Sequence, residues 1–227
     1  MAALWAEAGL LGSAAFVAAD LGARLLPRFV ANVEQPRSSD PVEVAQFVTD
    51  WFEWWKDAEG DRPRLGYCDT GGNNTAAQAV VLRRPGVWAS IEESGASMVN
   101  AYCLTPRVAD LALPVSFEAA RHRPAAVMLV LNTAKGERGL ASFDELRGQE
   151  GYRAMLKRGA VEIVLPRLDE RVAQEVEGSF LPFGMAAAGR APKGARALDE
   201  VDATVVGEWL ADLRAALGPA MKKGWLA

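Results

Sequence analysis

Five short apolar runs divide the chain: Ala14 to Ala19, Leu65 to Cys68, Ser97 to Leu104, Ala125 to Leu131 and Val161 to Leu165. None alternates cleanly between apolar and polar residues, which is how a strand reads when both of its faces are buried. Each run is followed by enough residues for a helix before the next begins. Together they predict an α/β fold with a doubly wound, mostly parallel sheet.

Two helices are legible between and after these runs. The clearer one spans Pro41 to Lys56: Asp40 is placed to cap it, Pro41 suits the first helical position, and Glu43 completes a capping-box spacing. Val44, Phe47, Val48, Trp51, Phe52, Trp54 and Trp55 fall on one broad face, opposite Glu43, Gln46, Thr49, Asp50, Glu53 and Lys56. A face this apolar at helical spacing predicts core rather than a partner surface. Near the end, Val201, Val205, Trp209, Leu213 and Leu217 recur every fourth residue and predict a helix lying over the sheet as a lid. Gly184 to Ala197, rich in Ala, Gly, Arg and Lys and interrupted by Pro192, reads as a mobile connection rather than a core element. Its cations suit phosphate; a solvated linker is the plainer reading.

Composition narrows the class. The 227 residues, half of them apolar, suit one compact domain. A net charge of −4 argues against strong nucleic-acid binding by bulk electrostatics. Cys68 and Cys103 lie in apolar runs and read as buried thiols rather than a disulfide, which points to the cytoplasm. Leu10 to Ala19 is apolar, yet no Lys or Arg precedes it and Glu7 interrupts that end of the chain. The expectation is therefore no targeting segment and no membrane span.

Candidate chemistry is sparse. The lone histidine, His122, sits among Arg121, Arg123 and Pro124, reads as a surface-loop residue, and leaves no histidine-dependent triad or zinc site. What remains is a set of polar residues at the carboxyl ends of predicted strands: Asp20, Asp69 and Asn132. Parallel strands all point the same way, so these three would meet at one crevice. Each alone also suits capping of the following helix. Asp69 stands out because Thr70, Gly71 and Gly72 follow it, an opening of the backbone toward a ligand or a metal-bound water.

The residues in this order resemble the ParA/MinD type of deviant Walker P-loop ATPase, in particular relatives associated with plasmid partition and conjugation. Phe16-Val17-Ala18-Ala19-Asp20 is similar to the family's second strand and its acidic end, and Gly66-Tyr67-Cys68-Asp69-Thr70-Gly71-Gly72 to its Walker B strand and switch. Val127 to Asn132 is similar to the strand whose terminal asparagine reads adenine, and Val161 to Pro166 to the strand leading into the base-side loop. The resemblance covers residues 1–185 as one P-loop NTPase-like domain, with residues 186–227 as a connecting segment and a helix packed on it.

That resemblance implies ATP and Mg²⁺ as cofactors. Asp69 would hold the metal through water, and Asp20 would position metal or attacking water. Gly71 and Gly72 would sense the γ-phosphate, while Asn132 and the loop at Pro166 would meet the base. It also implies a homodimer and a protein partner in a partition or transfer system. The family's first strand and its glycine-rich, lysine-bearing Walker A loop have no counterpart: the sequence contains no Gly-Lys pair, and Met1 to Leu11 is similar to the helix after that loop. Without a phosphate cradle, phosphoryl transfer would be absent or very slow. The expectation is a reading frame that starts late, ahead of a chain that has lost hydrolysis. Two other classes stand beside this reading: a non-catalytic α/β protein-interaction module, and an unrelated α/β enzyme using Asp20 and Asp69 with a metal.

Overall fold

A computed structural model describes residues 15–20, 33–38, 40–57, 64–69, 93, 98–119 and 126–226. Among these residues the strands are β1 (Ala15–Asp20), β2 (Val33–Glu34), β3 (Arg64–Asp69), β4 (Val99–Leu104), β5 (Ala126–Asn132) and β6 (Val161–Leu165). Five of them fall on the five apolar runs. The helices are α1 (Pro41–Asp57), α2 (Ala112–Ala119), α3 (Asp144–Gly148), α4 (Glu150–Lys157), α5 (Glu170–Gly178), α6 (Phe183–Ala187) and α7 (Glu200–Lys222). None of them is long and apolar enough to cross a membrane.

The strands form two three-stranded sheets, ordered β2-β1-β3 and β4-β5-β6, and every pairing is parallel. The α/β class and the parallel sheet agree with the sequence reading. In the second sheet, Met128, Val130, Val161 and Ile163 face Trp209, Leu213 and Leu217 of α7. On the opposite face Leu104, Leu129 and Leu131 pack with Phe143, Leu146, Tyr152 and Met155. Covering both faces removes apolar area from water along the whole of β5, which is why Ala126 to Leu131 contains no polar residue. Tyr67 of β3 and Val99 of β4 both pack against the α7-side cluster, so the two sheets share that core.

Asp40 caps α1 as expected, its Oδ1 accepting from Val42 N at 2.9 Å and Glu43 N at 3.2 Å. The other half of the capping box is made differently: Asp40 N–H donates to Ser38 Oγ, not to Glu43. Val44, Val48 and Trp51 are buried. Trp54, expected in the core, is 49% exposed, whereas Thr49, placed on the polar face, is buried and donates to Ala45 O. Phe52 and Trp55 have side chains outside the described set.

Three further expectations are corrected. Val201 is 71% exposed, because a four-residue repeat advances about 40° per step on a helix of 3.6 residues per turn and so places Val201, three steps before fully buried Leu213, about 120° around the helix from it. Cys103 is exposed and Cys68 half-buried, and neither is in a disulfide among the described residues. Cys103 pairs in register with fully buried Val130 but lies on an edge strand of its sheet, away from the cover that α7 gives β5. Gly184 to Ala197 is not an open linker: it begins inside α6, Ala186 is fully buried, and Ala191 and Ala195 pack on the α5-α6-α7 cluster.

Candidate functional site at the carboxyl edge

The chain steps from β1 out to β2 and then returns past β1 to β3, so strand order reverses at β1. Connections that leave neighbouring parallel strands in opposite directions open a crevice at their carboxyl ends, where α/β proteins bind ligands. Asp20 ends β1 and Asp69 ends β3. The two strands run in unbroken register from Ala15 opposite Arg64 to Asp20 opposite Asp69. The aspartates therefore sit on neighbouring chain ends, with backbones about 4.8 Å apart. Thr70, Gly71 and Gly72, the expected turn beyond Asp69, lie outside the described residues, as does His122.

Gln35 joins this row. Ala19 is opposite Glu34, so Gln35 follows β2 at the level of Asp20. Its Nε2 is buried and has no hydrogen-bond partner among the described residues. A buried donor without an acceptor costs free energy that an incoming oxygen would recover. Sequence reasoning missed Gln35 because a two-residue strand leaves no periodic signal; the signal available was a single amide between Glu34 and Pro36.

The second sheet brings another pair together. Asn132 ends β5 in register with Leu165, the residue before Pro166. Its Oδ1 accepts from Ala134 N at 3.2 Å and caps the short turn of 3₁₀ helix at Thr133–Lys135. That commits the carbonyl oxygen to the backbone and leaves the amide nitrogen as the group that a ligand could use. Thr133 Oγ1 donates to Leu165 O at 2.6 Å, and the Pro166 carbonyl accepts from Trp209 Nε1 at 2.9 Å. At the end of β4, Asp110 Oδ2 accepts from both Thr105 N and Thr105 Oγ1. The Asp20–Asp69 pair and the Asn132–Pro166 pair thus belong to different sheets, and no strand pairing among the described residues joins them.

Chemically, two carboxylate-bearing residues at adjacent strand ends offer hard oxygen donors. That suits Mg²⁺, which is commonly held by one or two carboxylates with water and phosphate oxygens completing its shell. Among the described residues no group of three or more His, Cys, Asp or Glu gathers at one point.

Away from this edge, two polar networks are built around carboxylates. Glu162 on β6 accepts from Arg147 Nε at 2.9 Å, Arg147 Nη2 at 2.6 Å and the Tyr152 hydroxyl. The Tyr102 hydroxyl donates to Glu118 at 2.7 Å. Burial, then the hydrogen bond to the neighbouring carboxylate, pushes both phenols well above their ordinary range. These networks tie helices to the second sheet. No protein-family model matches the chain, and no curated protein or solved structure is detectably similar to it.

Proposed function

We propose that the chain is the metal side and base side of a ParA/MinD-like nucleotide-binding domain, acting in the cytoplasm in replicon maintenance or conjugative transfer, with little or no ATPase activity of its own. The observation that carries this reading is the in-register placement of Asp20 and Asp69 at the point where strand order reverses. Asp69, with Asp20 beside it, would hold Mg²⁺ through water, and the metal would neutralise phosphate charge when bound. Gln35 would donate to a ligand oxygen, and the amide of Asn132 would meet the base. These residues bind and orient. Residues 1–227 contain no Gly-Lys pair to stabilise charge on a transferring phosphoryl group, so binding without rapid turnover is the expected behaviour.

The test is titration of a fluorescent ATP analogue in Mg²⁺ and in chelator, together with a phosphate-release assay. Mg²⁺-dependent binding with release at the buffer rate supports the reading; binding that is indifferent to Mg²⁺ contradicts it. A second reading, a non-catalytic interaction module, is favoured by half-exposed Trp54 on α1, since a large aromatic left in water is typical of a partner contact. Under it, Trp54→Ala abolishes partner capture while any nucleotide binding is unchanged.

A further inference from the structure

Arg190, Lys193 and Arg196 are exposed in the connection from α6 to α7. Among the described residues none of the three has an ion-pair partner, whereas Arg147, Arg167 and Arg171 are each paired with a carboxylate. No Asp or Glu occurs between Gly178 and Asp199. The segment is nonetheless built rather than loose. Gly189, at φ 62°, ends α6 with Gly189 N donating to Ala186 O and Arg190 N to Met185 O. Pro192 O then accepts from Ala195 N at 3.0 Å, with Gly194 at φ 91° in the third position, as a type II turn requires. Ala191 and Ala195 pack on the cluster that buries Leu198. Lys193 is thereby held on the turn between two arginines.

The position of the turn also follows from contacts. Trp209 reaches the carbonyl of Pro166, just past β6, and Lys223 reaches that of Gly159, just before it. α7 therefore runs antiparallel to β6, and the turn leading into it stands at the carboxyl end of that strand. Ordering a loop costs conformational entropy, and here the cost is met by apolar anchors while three cations are left without anions of their own.

We infer that this turn is a docking site for a short acidic segment of a partner protein, whose carboxylates pair with Arg190, Lys193 and Arg196. Charge complementarity sets the sign of the ligand and the boundaries set its size. The basic stretch covers residues 190–196 and is followed at once by Asp199 and Glu200, while Glu175 and Glu177 lie on α5. A duplex presents a phosphate about every 1.7 Å and would extend over those carboxylates. A peptide of a few residues fits within the basic stretch. A preformed turn also loses little further freedom on binding.

The experiment is fluorescence anisotropy of a labelled oligoglutamate peptide with the full chain at low and physiological salt. Binding should weaken about tenfold when Arg190→Gln, Lys193→Gln and Arg196→Gln are combined, and also with added salt. The matched triple of exposed cations elsewhere, Arg107→Gln, Arg138→Gln and Lys157→Gln, should stay within about twofold of the parent. Circular dichroism checks folding, and Lys193→Glu alone, at the exposed turn, gives the same reading if the triple is unstable. Three results overturn the inference: no peptide binding, equal loss in the two triples, or a duplex oligonucleotide bound as tightly as the peptide, which would assign the turn to nucleic acid.

Discussion

Asp20 and Asp69 face each other across β1 and β3 as the last pair of a continuous parallel register. Like charges directly opposite each other on neighbouring strands destabilise a sheet. Asp20→Asn is therefore expected to raise stability in chelator by roughly half a kcal/mol, the scale of a relieved like-charge neighbour in a sheet. The same change should reduce the stabilisation that Mg²⁺ adds. Thermal unfolding with and without Mg²⁺ checks both signs; a variant less stable in chelator and equally responsive to Mg²⁺ would count against the pairing.

Glu162 holds α3 and α4 to β6 through Arg147 and the buried Tyr152 hydroxyl. Glu162→Gln removes the charge that assists all three bonds while keeping the shape. It should cost about 1–3 kcal/mol in urea unfolding, the range for hydrogen bonds to a charged group. A loss below a few tenths would mean that solvent carries the network.

The phenols of Tyr102 and Tyr152 are both raised from the ordinary value of 10.0 by burial and by a carboxylate acceptor. A raised value means that the folded state favours the protonated form. Their contribution to stability is complete below pH 10 and is lost as pH rises beyond it. In an ultraviolet titration these two should ionise only together with alkaline unfolding. Ionisation near the ordinary value with the fold intact would contradict the burial of both hydroxyls.

Asp202, 2% exposed at the start of α7, accepts hydrogen bonds from Nη1 and Nη2 of Arg171 on α5. These hydrogen bonds hold its carboxyl below the ordinary carboxylate range, with burial opposing. The sign is opposite to that of the tyrosines: the contribution is present above the ordinary carboxyl value and disappears as pH falls through the lowered one. Urea midpoints of the parent and Asp202→Asn should differ at neutral pH and converge at strongly acidic pH. A constant difference would place the effect in packing rather than charge.

How much of this was legible in the sequence depends on burial and on caps. The five strands were legible as short apolar runs, most clearly β5, whose two faces are both covered, and β2 was not because two residues carry no period. α1 was readable from Asp40 and Pro41. By contrast, the residues that cap α3, α4 and α6 are Phe143, Gln149 and Pro182, none of which makes a side-chain cap bond, so those starts had no sign in the sequence. α5 had one, Asp169, whose carboxylate accepts from Arg171 N and Val172 N. The positions of Asp20, Asp69 and Asn132 at strand ends, and of Pro166 just after one, were legible because the strands were. Their division between two sheets was not, because register and strand order depend on pairings between segments far apart in the chain.

The most direct measurement is equilibrium dialysis of labelled ATP against the parent chain, Asp20→Ala and Asp69→Ala, with Mg²⁺ and with chelator. The paired-aspartate site predicts Mg²⁺-dependent binding by the parent and a loss of about tenfold or more in either variant, the scale of one removed charge-assisted contact. Absence of Mg²⁺-dependent binding by the parent, or equal binding by parent and both variants, would contradict it.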